Sequence, residues 1–297
     1  MNIDFKFPGD KALVESKMDL LEACRLNNLE KVQQFINEGA NVNITDVNNG
    51  ENVLHVSVGG SLRLFQFLLE KGSSVHAVDF FGNTLLHAIF GRLTYLQKQR
   101  GLSDKEMGNF EAFVSKCISV GIDVNKKNKF QVAPIHIAAS NDLISCTRIL
   151  LAQQNIDVNI QDGEGNTALH RCAQVNNKVI LNELIVKGAD INKENMYNLT
   201  PFEVALKANP VSFDCINVFV SKGIDVRHRI SEKRLHDFAI SFIPDNKYYI
   251  NLQNDEGDTA AHLAAKNGEL DILDAIIKQH ADLRIVNNHD RTILDLS

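Results

Sequence analysis

The sequence predicts an all-α fold with short β-hairpin fingers, arranged as an elongated and curved α-solenoid. Three observations carry that expectation. A His-containing phrase recurs at a spacing of about 33 residues, a second phrase keeps the same spacing, and the composition carries no mark of a catalytic domain. Regular self-similarity of this length is the signature of stacked supersecondary units that share one continuous core.

The first phrase is strongest in Gly165-Asn166-Thr167-Ala168-Leu169-His170, Gly82-Asn83-Thr84-Leu85-Leu86-His87 and Gly257-Asp258-Thr259-Ala260-Ala261-His262. Looser copies are Asn52-Val53-Leu54-His55, Ala133-Pro134-Ile135-His136, Thr200-Pro201-Phe202-Glu203 and Arg234-Leu235-His236. Anchored on the His position, the series runs Leu21, His55, His87, His136, His170, Glu203, His236, His262 and Asp295, with steps of 34, 32, 49, 34, 33, 33, 26 and 33. The second phrase recurs at Asn41-Val42-Asn43, Asp123-Val124-Asn125, Asp157-Val158-Asn159, Asp190-Ile191-Asn192, Asp225-Val226-Arg227 and Asp282-Leu283-Arg284. Together these phrases closely resemble the ankyrin repeat family, over residues 17–297, as about eight repeats and a partial last unit.

Each unit also reads on its own chemistry. Thr167 precedes an apolar-periodic stretch and is placed to cap a first short helix, its hydroxyl accepting from free backbone N–H groups. Ala138, Ala139, Ala173, Ala264 and Ala265 are small enough for adjacent first helices to approach closely. Val179, Ile180, Leu181, Leu184 and Ile185 mark the apolar face of a second helix. That helix ends at Gly39, Gly72, Gly121, Gly188 or Gly223, where a left-handed residue is needed, with Asn155 and His280 as substitutes in two repeats. The Asp-Val-Asn stretch then extends, and Gly82, Gly165 or Gly257 turns it back as a hairpin finger.

The departures from period mark domain features. Residues 1–16 are an N-terminal extension. About 16 extra residues, near 92–109, fall in the repeat anchored at His87, and Ser103 with Glu106 predicts a capped helix from Asp104. Both helices of that repeat are then extended, or a protruding hairpin links them. The repeat spanning about 228–250 is shortened and carries Pro244 where a helix should run. Residues 285–297 form a partial last repeat, either a cap or a truncation.

Composition narrows function. The 297 residues carry 31 Lys+Arg against 37 Asp+Glu, a formal charge of −6, which offers no general footprint for nucleic acid. No signal peptide and no membrane span are visible, and five Cys without a Cys-x-x-Cys pair suit a cytoplasmic, reducing setting. His55, His87, His136, His170 and His262 are structural repeat anchors, in which the resemblance implies ring hydrogen bonds between neighbouring fingers, rather than metal ligands. The Cys are read as buried small hydrophobes: Cys24 and Cys172 on first helices, Cys117, Cys146 and Cys215 on second helices. No phosphate loop, nucleophile elbow or zinc-protease motif is present, so neither catalysis nor a cofactor nor a small-molecule substrate is expected.

What remains is recognition of a protein partner by a monomeric interaction module. The resemblance implies a concave face of finger tips and first-helix surfaces. Its candidate residues are Phe80, Phe81, Lys129, Phe130, Met196, Tyr197, Asn83 and Gln174. Exposed aromatic and Met side chains are the types enriched at interfaces, although a tip aromatic can equally pack on its neighbouring finger. The basic runs Lys126–Lys129 and Arg227–Arg234 are read as solvated loop charge. Asn159 and Asn192 resemble targets of an asparagine hydroxylase, beside a plain role in bracing the fingers. The Asn- and Ile-rich composition suits an AT-rich genome, and an effector in host-cell cytosol is one expectation. The alternative is a targeting arm of an enzyme whose catalytic domain lies outside this chain.

Overall fold

The computed structural model describes residues 20–224, 250–251, 253–254, 256–278 and 280–296. The expected shortened repeat at 228–250 and the basic run Arg227–Arg234 lie, but for Ile250, outside the described residues, as do residues 1–16. The chain divides into two compact units, Met1–Ile216 and Asn217–Ser297.

The first unit is a run of helix pairs. First helices Val53–Ser57, Leu85–Arg100, Pro134–Ser140, Ala168–Gln174 and Pro201–Lys207 are each preceded and followed by second helices, among them Leu29–Asn37, Leu62–Glu70, Asp104–Ser119, Ile144–Leu151 and Lys178–Val186. Ala168–Gln174 packs on Pro134–Ser140 before it, on Pro201–Lys207 after it and on its own partner Lys178–Val186. No unit could bury its apolar stripe alone, and stacking supplies the burial. Ala138, Ala139 and Ala173 are fully buried where the first helices meet. Ile180, Leu181 and Leu184 form the inner face of a second helix, while Val179 turns outward at 39% exposure. All five cysteines are free and buried, and burial pushes the thiols of Cys24, Cys117, Cys146 and Cys215 up to about 12.

In the repeat of His87 the extra residues lengthen both helices. Leu85–Arg100 and Asp104–Ser119 run 16 residues each and are joined across Gly101 and Ser103. Ser103 and Glu106 form a capping box: the Ser103 hydroxyl accepts from the Glu106 N–H at 3.4 Å, and the Glu106 carboxylate accepts the Ser103 N–H at 3.0 Å. The long pair is held by phenylalanines. Phe113 is fully buried and meets Phe65 edge-on at 4.9 Å.

Gly39, Gly72, Gly121, Gly188 and Gly223 all have positive φ at the ends of second helices, and His280 joins them at 62°. Asn155 does not. Five residues separate Ile144–Leu151 from Asp157, against three between Lys178–Val186 and Asp190, and the chain turns there without a left-handed residue. The Asn155 carbonyl accepts from Asn125 Nδ2 at 2.7 Å, as the Gly72 and Gly188 carbonyls accept from Asn43 and Asn159.

The finger segments also differ from the expected hairpins. Among the described residues they contain no strand, and one isolated antiparallel bridge joins Thr45 to Asn52. The tips are closed chiefly by side chains. The Asp162 carboxylate accepts from the N–H groups of Glu164 at 2.9 Å and Asn166 at 3.0 Å. Asp79, Asn128, Asn195, Asn254 and Asn287 make the same pair of bonds. Each staple stands beside one main-chain bond across the tip, as from the Asp162 N–H to the Asn166 carbonyl at 2.8 Å, and a single such bond does not make a strand.

The second unit contains Ala260–Lys266, Leu270–Lys278 and the 3₁₀ turn Ile293–Asp295. Ala260–Lys266 packs on both of the others.

Candidate functional site

The fingers are positioned by the anchor residues. His170 sits one turn into its helix and is 1% exposed. Its Nε2 lies 2.9 Å from the Leu199 carbonyl of the next finger. A carbonyl can only accept, so Nε2 carries the proton and Nδ1 is the acceptor. Nδ1 accordingly takes the Thr167 N–H at 3.1 Å and the Thr167 hydroxyl at 2.9 Å. The threonine hydroxyl therefore donates to the ring, while its oxygen faces the His170 N–H in a capping box, so the expected helix cap is kept and a second bond is added. His55, His87, His136 and His262 reach the carbonyls of Asn83, Val132, Asn166 and Arg291 in the same way, at 3.3, 2.9, 3.1 and 3.1 Å. Burial lowers the pKa of His55, His87, His136 and His170 below the ordinary imidazole value, keeping them neutral. Among the described residues no group of His, Cys, Asp or Glu is gathered as for a metal ion.

Glu203 and Asp295 stand at anchor positions and keep half of this role. The Glu203 carboxylate accepts from the Thr200 N–H at 2.7 Å and hydroxyl at 2.9 Å, and Asp295 does the same for Thr292 at 2.7 Å each.

Successive fingers are stitched at their tips. Phe80 N–H donates to Asn49 O at 2.8 Å, Lys129 N–H to Phe81 O at 2.9 Å, and Met196 N–H to Glu164 O at 3.0 Å. These bonds aim the tip side chains outward: Phe80 is 53% exposed, Phe81 52%, Phe130 63%, Met196 72% and Tyr197 65%. The rings do not stand alone. Phe81 and Phe130 stack with centroids 6.1 Å apart and planes at 24°, and the Phe80 ring lies against Gly50 of the preceding finger. Tyr197 and Gln174 line one hollow of about 200 Å³ on this face. Asn83 is engaged within the stack. Its Nδ2 donates to Asp79 at 2.8 Å and its Oδ1 accepts from Asn128 at 2.8 Å.

Asn159 braces the next loop, its Oδ1 accepting the Asp190 N–H at 2.8 Å, and its Nδ2 pointing to Gly188 O at 3.5 Å. Gly163 is more confined than a turn tip suggests, because an added Cβ would stand 2.9 Å from the Phe130 carbonyl oxygen. The Asx staple escaped the sequence reading altogether, although its signal was present: an Asp or Asn stands eight residues before each of His87, His136, His170, Glu203, His262 and Asp295.

No helix among the described residues is long and apolar enough to cross a membrane. Comparison with known proteins agrees with this architecture. The family model for ankyrin repeats matches in three copies, over residues 20–96, 106–195 and 135–230, and a single ankyrin repeat matches 256–288. Among curated proteins the chain is 26% identical over 231 residues to the human transient receptor potential cation channel subfamily A member 1, covering 77% of this chain and 18% of the channel. It is 26% identical over 303 residues to alpha-latroinsectotoxin-Lt1a of Latrodectus tredecimguttatus, covering 89% of this chain and 21% of the toxin. It is also 26% identical over 238 residues to an ankyrin repeat protein of fowlpox virus, covering 76% of this chain and 50% of that protein. The chain thus spans half or less of the length of these relatives. With family models matched along most of its length, on repeats whose anchors and fingers are bonded in register, the chain belongs to the ankyrin repeat family.

Proposed function

We propose that this chain is a non-catalytic interaction module that binds a partner protein through the concave face formed by its finger tips and first helices. One observation carries the reading. Within the first unit Phe80, Phe81, Phe130, Met196 and Tyr197 are more than half exposed, although finger-to-finger hydrogen bonds fix the backbone of Phe80, Phe81 and Met196, and the Asn128 and Asn195 side chains fix that of Phe130 and Tyr197. Large apolar side chains held rigidly in water are the anchors of protein interfaces, because little further ordering accompanies binding. Lys129 and Gln174 supply the polar rim of the same face. Five free, buried thiols support a reducing cytosolic setting, and the viral relatives support a role inside a host cell.

Capture of partner proteins by the wild type, beside a Phe80→Ala/Phe81→Ala/Phe130→Ala variant of unchanged helicity, tests this reading. Loss of the captured protein in the variant is the expected result, and equal capture overturns it. A second reading is a recruiting arm for a larger assembly. It is supported by the similarity to an 18% segment of a channel and a 21% segment of a toxin.

A further inference from the structure

One groove on the first unit does not follow from the repeat pattern. Ordinary first helices here run seven residues, as in Pro134–Ser140 and Ala168–Gln174. Leu85–Arg100 runs 16, so its second half overhangs as a wall. The preceding first helix, Val53–Ser57, has only five residues and gives way to Gly59 and Gly60, so the floor beside that wall is bare backbone. The two peculiarities fit one another: a Cβ on Gly59 would lie 3.5 Å from Arg92 Cγ and 3.3 Å from the Phe110 ring. Between wall and floor opens a groove of about 750 Å³, against about 200 Å³ for the hollow at Gln174 and Tyr197.

The charges lining the groove are unequal in what they can still do. Arg25 is already paired with Asp46 at 2.5 Å. The Glu51 carboxylate accepts from Asn49 Nδ2 at 2.9 Å. Arg92 lines the groove, is exposed, and makes none of the ion pairs found among the described residues. Ala88, Arg92 and Tyr95 are spaced to share one helix face, so the free guanidinium stands beside a phenol that is 56% exposed, above the small side chain of Ala88. A planar guanidinium with its donors unused matches a carboxylate in two-pronged geometry.

We propose that this groove seats an extended acidic segment of the partner, with an Asp or Glu carboxylate held by Arg92 and flanked by Tyr95. The inference rests on the interaction-module reading and gives that reading a partner chemistry. The lengthened helix pair is then the element that distinguishes this chain's recognition from that of a regular repeat stack.

A random-sequence peptide library displayed on phage and selected on the full chain tests it. Enriched peptides, fluorescently labelled, are titrated against the wild type, Arg92→Glu, Arg92→Gln and Phe81→Ala/Phe130→Ala, each checked for helicity. Acidic peptides are expected, with affinity falling about tenfold or more in both Arg92 variants. A peptide whose acidic residue is replaced by lysine is expected to regain binding to Arg92→Glu. Enrichment of neutral or basic peptides, no enrichment, or acidic peptides that bind Arg92→Glu as tightly as the wild type overturns the proposal. The two readings fail separately. Loss of peptide binding only in the Phe81→Ala/Phe130→Ala variant overturns the groove and leaves the tips, whereas loss confined to the Arg92 variants supports the groove and leaves the tips to be decided by partner capture with the Phe80→Ala/Phe81→Ala/Phe130→Ala variant.

Discussion

Two solutions to one structural problem sit side by side in the first unit. His170 and Glu203 hold the same place in consecutive repeats, and each accepts the N–H and hydroxyl of the threonine three residues before it. Only the imidazole has a second edge. Its Nε2–H reaches the Leu199 carbonyl 29 positions ahead in sequence, whereas a carboxylate has no hydrogen to give a carbonyl. Capping one helix and tying repeat to repeat are therefore separable jobs. An acceptor suffices for the first, and a neutral histidine does both.

The largest effect expected from that difference is at His170. Replacing it by alanine removes the acceptor for Thr167 and the donor to Leu199 together, inside a site that is 1% exposed. Unpaired buried groups cost about 1–3 kcal/mol each, so a loss of about 3 kcal/mol or more is expected in urea unfolding. A loss below about 1 kcal/mol would break the comparison.

Acid should weaken the histidine-anchored region next. Burial lowers the pKa of His55, His87, His136 and His170. The unfolded chain then binds protons that the folded chain refuses, and stability rises with pH across that interval. The contribution is fully present above the unfolded value of about 6.5 and is lost as pH falls from there through the lowered folded values. Melting temperature followed between neutral and acid pH should decline over that window, and should decline less in His170→Ala. A flat profile would mean that the imidazoles are not held neutral.

A backbone comparison follows at smaller scale. Gly188 has φ of 98° with no atom within 4 Å of an added Cβ, whereas Gly163 faces the Phe130 carbonyl oxygen at 2.9 Å. Gly188→Val should cost about 1–2 kcal/mol through backbone strain alone. Gly163→Ala should cost about as much, through a forced shift between fingers. If only Gly188→Val lowers the melting temperature, the fingers at Gly163 have room to separate.

These cases separate what was legible in the sequence from what was not. Residues acting within one turn were readable: the Ser103–Glu106 box sets a helix start at Asp104, and the glycines closing second helices are left-handed. Such features depend on spacing, which the sequence states directly. The constraint on Gly163 was not legible because it comes from Phe130, 33 positions earlier in the chain. The Thr167 cap was legible, but its second bond, the hydroxyl donating to the His170 ring, was not, since the tautomer that allows it is fixed by a carbonyl in the next repeat. The groove at Arg92 was invisible because it needs a long helix beside a short one, and each alone is only a length. At the tips, Phe81 and Phe130 read as exposed aromatics, and their stacking depends on the register of two fingers.

The smallest effect is the one that isolates capping from tying. Glu203→Ala removes the acceptor for the Thr200 N–H and hydroxyl but no donor, so its cost should resemble the loss of a helix cap, about 1 kcal/mol. Glu203→Gln keeps a side-chain oxygen for the same N–H and should recover most of that cost, because the interaction is an acceptor's and not an ion pair's. If Glu203→Ala instead costs as much as His170→Ala, the carboxylate carries a tie beyond its own helix, and the two solutions are one.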